Sequence, residues 1–110
     1  MKSLKKQLKR INENKILIEF ARIIGIPPIH IIIKNQDSHI CDIRHLYCKL
    51  RYDMHGQNYS KIGREINRTH TAVRYGISRI NDLLFIEDEE IINIWEKVKN
   101  ISGFYYESPA

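Results

Sequence analysis

Apolar residues recur at spacings of three and four along most of the chain, and no segment alternates apolar and polar residues as a half-buried strand does. Glycine and proline, which interrupt helices, account for only 5 and 3 of the 110 residues. This pattern predicts an all-α fold, specifically a small helical bundle. The length suits one small domain and is too short for a catalytic domain with a second module.

Helix start and stop signals divide the chain into segments. Residues 1–10 are predicted to form a basic N-terminal extension, residues 11–101 the folded domain and residues 102–110 a loose tail. Helices, or in one case a single buried turn, are expected at residues 11–24, 29–33, 38–54, 61–66, 70–84 and 89–100. The predicted N-terminal caps are Asp37 or Ser38, Ser60, Thr69 and Asp88. The apolar stripe of the central helix is predicted to comprise Ile40, Ile43, Tyr47, Leu50 and Met54.

Charge is distributed unevenly along the chain. The formal net charge is +5, with +6 on residues 1–34, +3 on residues 35–84 and −4 on residues 85–110. A basic body of this kind is typical of proteins that bind a polyanion, most simply a nucleic acid. The longest apolar stretch, residues 16–33, contains charged residues and two prolines, so we expect no membrane helix.

The N-terminal segment and the cysteines both favour a cytoplasmic location. The residues that follow the basic start are too charged for the apolar region of a signal peptide. Cys41 and Cys48 lie in one predicted helix, about 10.5 Å apart along its axis, whereas a disulfide joins Cα atoms no more than about 7 Å apart. We therefore expect both cysteines to be reduced thiols.

Residues 60–84 are predicted to form a helix-turn-helix. Ile62, Ile66 and Val73 are spaced so that they can meet between two helices, and Gly63 is small enough for close approach of the backbones. Asn67 can adopt the left-handed conformation that a tight turn needs. The segment Thr69-His70-Thr71 would then face outward, where its side chains can contact base edges in a major groove.

The same segment is basic on its outer side. Within residues 60–79, five cationic side chains accompany a single acidic one, Glu65, and the cations are Lys61, Arg64, Arg68, Arg74 and Arg79. The simplest alternative is that these charges form a solvated helix face with no partner. The hydroxyl groups at the start of the second helix favour DNA binding over that alternative.

Residues 62–73, which read IGREINRTHTAV, resemble the signature of the C-terminal DNA-binding domain of the bacterial chromosomal replication initiator (DnaA) family. The likeness extends over about residues 12–100. It implies a helix-turn-helix of the Trp-repressor type that binds double-stranded DNA in replication initiation or its regulation. By this resemblance His70 and Thr71 would contact bases, Arg68 and Arg44 would contact phosphates or base edges, and Ser60 and Lys61 would lie at the flank of the groove.

The chain departs from that family signature at several positions. The turn is one residue shorter, with Asn67 where the family usually has two glycines. Thr69 replaces an aspartate that reads a cytosine amino group, and Ala72 replaces a second threonine. Lys34 and Gln36 stand in the loop where the family has a minor-groove arginine. The predicted DNA-binding residues are Lys34, Arg44, Ser60, Lys61, Arg68, Thr69, His70, Thr71 and Arg74.

The sequence predicts no catalysis and no bound nucleotide. None of its glycines precedes a lysine as a phosphate-binding loop requires, so the chain resembles the last domain of the initiator without its ATPase. The acidic residues form no close pair of the kind that splits carboxylate pKa values. We therefore expect no enzyme activity and no cofactor.

Two alternative interpretations remain open. Cys41, His45 and Cys48 share one helix face and could bind zinc with His55 or His30, although buried thiols explain the cysteines more simply. The domain could also be a protein-protein adaptor that uses Trp95 and the aromatic residues 104–106, or a transcription regulator of a mobile element.

Overall fold

The computed structural model describes the backbone of residues 2–103 and the side chains of residues 5–103. This part of the chain is helical and contains no strand, which confirms the predicted all-α bundle. The helices are α1 Lys2–Glu13, α2 Lys15–Ile24, α3 Ile29–Ile32, α4 Ser38–Lys49, α5 Tyr59–Ile66, α6 His70–Phe85 and α7 Glu89–Val98. A π-helical turn, Leu50–Met54, continues α4. Within these residues, every helix is too short or too polar to cross a membrane.

The N-terminal region forms two helices where the sequence predicts one helix and an extension. Asn14 separates α1 from α2, because its side chain accepts a hydrogen bond from the backbone N–H of Leu17 at 3.0 Å and so caps α2. The same side chain donates to the hydroxyl of Tyr47 at 3.1 Å. Ile11 is buried. The predicted boundary at residue 11 therefore falls inside α1.

Three predicted N-caps are confirmed and one is wrong. Asp37, Thr69 and Asp88 each accept a hydrogen bond from a backbone N–H in the first turn of α4, α6 and α7. Ser60 was expected to cap α5, but the cap is Asn58, whose Oδ1 accepts from the Lys61 N–H at 2.8 Å. The earlier start places the Tyr59 ring in a stack on Tyr52, with 4.7 Å between ring centroids.

Helix α4 lies at the centre of the bundle and packs against α3 and α6. Tyr47 is fully buried and meets Phe20 of α2 edge-to-face, with 5.4 Å between ring centroids. The predicted stripe is correct for Ile43, Tyr47 and Leu50, which are buried, and for Ile40, which packs partly buried against the core; it fails at Met54, which is 50% exposed. The i to i+5 hydrogen bonds of a π turn shift the helix phase, so Met54 turns away from the core.

A buried ionic cluster joins α5 to the π turn. Glu65 accepts two hydrogen bonds from Arg51, at 2.9 and 2.8 Å, and one from the Tyr47 hydroxyl at 2.6 Å. Burial raises the pKa of Glu65, but the hydrogen bonds from Arg51 and Tyr47 outweigh that effect and lower it overall. These contacts fix the rotation of α5 relative to α4, and thereby the position of the turn that follows α5.

The corrected cap can be tested by alanine substitution. We expect Asn58→Ala to lower the free energy of unfolding by about 1 kcal/mol, because the Lys61 N–H loses its acceptor. The matched control, Ser60→Ala, is expected to change it by less than about 0.5 kcal/mol. Urea unfolding followed by circular dichroism measures both. Equal losses, or a larger loss for Ser60→Ala, would contradict the assignment.

Candidate nucleic-acid interface

Helices α5 and α6 are joined by the tight turn that the sequence predicts. Asn67 adopts the left-handed conformation, with φ 59° and ψ 49°. The N–H of Arg68 donates to the carbonyl of Gly63 at 2.8 Å, and a Cβ at Gly63 would overlap the Arg68 carbonyl oxygen. Glycine is therefore required at this crossing. Ile62, Ile66 and Val73 are buried between the two helices, as predicted.

Arg68 binds backbone carbonyls at two places. Its Nη1 donates to the carbonyls of Ile66 and Asn67 in the turn, at 3.1 and 3.0 Å. It also reaches the end of α3, where Nη1 donates to Ile32 at 3.1 Å and Nη2 to Ile33 at 2.9 Å. Burial and then the charge of Arg44 lower the pKa of Arg68. The predicted phosphate contact does not fit this geometry, because the donors of Arg68 already hold the turn against α3.

Arg44 is also directed inward. Its side chain is buried, with the residue 4% exposed, and Nε donates to the carbonyl of Ile31 at 2.7 Å. Nη1 lies 3.6 Å from Sγ of Cys41, and Nη2 has no hydrogen-bond partner. A DNA contact by Arg44 does not fit this placement. The sequence predicts the buried turn at residues 29–33, but not that its terminal carbonyls need donors that its own backbone does not supply.

The start of α6 presents an exposed face. The side chains of His70, Thr71 and Arg74 are exposed and make no hydrogen bond or ion pair with the rest of the described chain. Thr69 is exposed as well, although its hydroxyl accepts from the Ala72 N–H at 3.1 Å as the cap. Tyr75 extends this face and is 63% exposed. The predicted reader residues therefore lie together at one end of α6.

Cationic side chains border that end of α6. Lys34, Ser60 and Lys61 are exposed, but Lys61 lies 3.3 Å from Glu65 and lines a separate depression with Asn14 and Arg51. A shallow depression is lined by Arg10, Gly63, Arg64, Asn67, Arg68, Thr69 and Ala72. Arg10 reaches it by donating to the Arg64 carbonyl at 3.1 Å. The sequence predicts that Arg10 belongs to an N-terminal extension, whereas the structure has it within α1, which continues to Glu13.

The far half of α6 is less basic than the sequence suggests. Arg79 donates to Asp42 of α4 at 2.8 Å, which compensates its charge. Nearby, the ring of His45 packs against Gly76 and meets the Tyr75 ring edge-to-face, with 6.0 Å between centroids. Burial lowers the pKa of His45 to about 4, with Asp42 opposing the shift. The cationic surface is therefore concentrated around the first turns of α6.

The three side chains considered as zinc ligands, Cys41, His45 and Cys48, have different surroundings. Cys48 is buried, which raises its pKa to about 12. Cys41 Sγ faces the Asn35 carbonyl at 3.5 Å, and His45 packs under α6. Both cysteines are free thiols, and residues 5–103 contain no group of three or more metal-ligating side chains positioned around a common centre.

The adaptor alternative relies on Trp95 and on the aromatic residues 104–106. Trp95 is half-buried, and the ammonium group of Lys49 lies 5.1 Å from its ring centroid. Residues 104–106 fall outside the described residues.

Comparisons with family models, curated proteins and solved structures find no match for this chain.

The role of Arg68 can be tested through stability. We expect Arg68→Gln to lower the free energy of unfolding by about 2 kcal/mol, because partly buried carbonyls at the turn and at α3 lose a charged donor. Arg74→Gln, an exposed arginine on the next turn, is the matched control and should change it by less than about 0.5 kcal/mol. Urea unfolding measures both variants. A stable Arg68→Gln protein would restore the prediction of a free, DNA-facing guanidinium.

The pKa of His45 gives a pH prediction. Because the folded pKa is about 4 and the usual value is 6.5, the unfolded chain binds this proton more readily below pH 6.5. The neutral His45 side chain makes its full contribution to the free energy of unfolding above that pH. The contribution declines by up to about 3 kcal/mol as the pH falls towards the folded pKa. We expect His45→Leu to lose less stability than the wild type between about pH 7 and pH 4.5 in urea titrations. Parallel pH profiles for the two proteins would contradict this.

Proposed function

We propose that this chain binds double-stranded DNA and that the first turns of α6 read the major groove. The observation that carries the proposal is the cluster of exposed side chains at one end of α6, bordered by cations. Imidazole and hydroxyl groups donate to and accept from base edges, and the threonine methyl contacts thymine. The domain acts on DNA by binding, with no chemical step.

The arrangement of α6 suits a groove. His70, Thr71, Arg74, Tyr75 and Ser78 recur at helical spacing on the side opposite the buried residues of the same helix. Its 16 residues correspond to a length of about 24 Å, and a major groove about 12 Å wide accepts one helix. The end that begins at Thr69 would lie deepest, since it carries the groups able to discriminate bases.

Phosphate contacts are assigned to exposed cations on both sides of this end. Lys61 and Arg64 belong to α5, Lys34 to the loop before α4, and Arg10 to α1. Ser60 would add a hydroxyl donor at the same flank. Arg44 and Arg68 act indirectly in this proposal: they hold the turn and α3 together, and thereby set the orientation of α6.

The resemblance of residues 62–73 to the replication initiator signature supports the same function. We infer that the chain acts like the origin-binding domain of that family, in replication initiation or its regulation. Thr69 in place of aspartate and the shortened turn imply a DNA site different from the standard initiator box. The adaptor alternative is less favoured, because Lys49 covers part of the Trp95 ring.

A selection of duplexes from a random pool, followed by binding measurements over a range of salt, tests the proposal. Binding is expected to weaken steeply with salt. Each phosphate contact makes the slope of log K against log salt concentration more negative by about 0.9. His70→Ala and Thr71→Ala should each reduce discrimination between selected and random sites by about tenfold. Lys61→Ala should weaken all sites alike and reduce the salt slope by about one.

Lys97→Ala on α7 is the control and should leave affinity, discrimination and salt slope unchanged. Absence of binding at low salt would overturn the proposal. Equal losses at selected and random sites for His70→Ala and Thr71→Ala would show that binding is only electrostatic.

A further inference from the structure

The junction between α6 and α7 is rigid and exposes two apolar side chains. Phe85 is 87% exposed and Ile86 is 68% exposed, although they are adjacent. Backbone hydrogen bonds close this turn: the N–H of Glu87 donates to Leu84 at 3.0 Å. The N–H of the next residue, Asp88, donates to the carbonyl of Leu83 at 2.9 Å. This pair of bonds is a Schellman motif, which holds the exposed residues in a defined place.

Glu87 occupies the left-handed position of this motif, with φ 59°. Glycine is the usual residue there, because it has no Cβ to strain the backbone. The surrounding segment is strongly acidic. Residues 82–90, which we name the acidic tip, contain Asp82, Glu87, Asp88, Glu89 and Glu90 and no basic residue. The tip thus combines an exposed apolar pair with five acidic side chains, of which Glu90 lies 3.7 Å from Nδ1 of His39.

The opposite combination occurs on α1. Lys5, Lys6 and Lys9 are exposed, and Leu8 between them is 46% exposed. Residues 5, 8 and 9 share one side of the helix, and these lysines form no ion pair with any described residue. We name Lys5, Lys6, Leu8 and Lys9 the basic face. It carries an exposed apolar residue among positive charges.

We propose that the acidic tip of one copy of this chain binds the basic face of a second copy. Opposite charges meet around an apolar contact between Leu8 and the Phe85-Ile86 pair, so the apolar residues lose contact with water where the charges attract. Contact between two acidic tips, or between two basic faces, would bring like charges together and is disfavoured.

The two surfaces lie on separate elements and share no residue. Helix α1 packs against α2 and α3, whereas the tip joins α6 to α7. Contacts of this kind are head-to-tail, and they extend into open chains unless the geometry closes a ring. Neither surface includes the first turns of α6. The association requires no DNA and stands independently of the proposed function.

Sedimentation velocity without DNA, over a range of protein concentrations, tests this inference with two variants. The first, K5E/K6E/K9E, keeps an intact tip, and the second, F85S/I86S, keeps an intact basic face. We expect the wild type to form dimers and longer chains at low salt and to dissociate in about 0.5 M salt. Each variant alone should be monomeric. Their equimolar mixture should form dimers and nothing larger, because only one productive contact remains.

Several outcomes would overturn the inference. A wild type that stays monomeric at every concentration excludes the contact, and so does a mixture of the two variants that stays monomeric. Association of K5E/K6E/K9E alone would indicate tip-to-tip contact. Met54→Ser and Lys97→Glu are controls, since each alters an exposed residue outside both surfaces, and they should associate as the wild type does.

Glu87→Gly provides a second test that does not depend on the folding of F85S/I86S. Glycine suits the left-handed position, so this variant should be at least as thermally stable as the wild type. Loss of one charge should weaken association by about twofold to fivefold. Stronger or unchanged association of this variant would contradict the role of the tip's charge.

Discussion

The carbonyl groups at the end of α3 are the constraint on which the candidate interface depends. A helix of four residues leaves most of its backbone groups without internal partners, and burial of such groups without hydrogen bonds is costly. Arg44 supplies a donor from α4, and Arg68 supplies donors from the turn between α5 and α6. One short helix therefore joins the centre of the bundle to the segment that orients α6.

Much of the fold follows from local signals in the sequence. The helix-turn-helix region was predictable because Gly63, Asn67 and Thr69 each meet a local backbone requirement: close approach, a left-handed turn and an N-cap. The break at Asn14 was missed, although its cap on the Leu17 N–H is a local signal; only the second hydrogen bond of this side chain, to Tyr47 thirty-three residues away, is long-range. The π turn has no distinct apolar period, and its contact with Glu65 is also long-range.

The site was predictable in part: helical periodicity identifies its exposed residues, whereas tertiary contacts determine where its arginines point. His70, Thr71 and Arg74 were identified correctly as exposed, because helical periodicity separates them from the buried stripe of α6. Arg44 and Arg68 were assigned to DNA by the resemblance to the initiator family, yet both donate to carbonyls whose position only the tertiary structure determines. Charge and family likeness identified these residues without indicating where their donors point.

The π turn has a consequence for how the chain tolerates changes in length. It accommodates one more residue than a regular α-helix would between the centre of α4 and the loop before α5. Deletion of a single residue there can be absorbed, because the wide turn becomes an ordinary helical turn and the flanking residues keep their faces. The same deletion in the regular part of α4 would rotate all that follows by about 100° and turn Arg51 away from Glu65. The irregular segment of the helix is thus the place where the chain can change in length without moving α5.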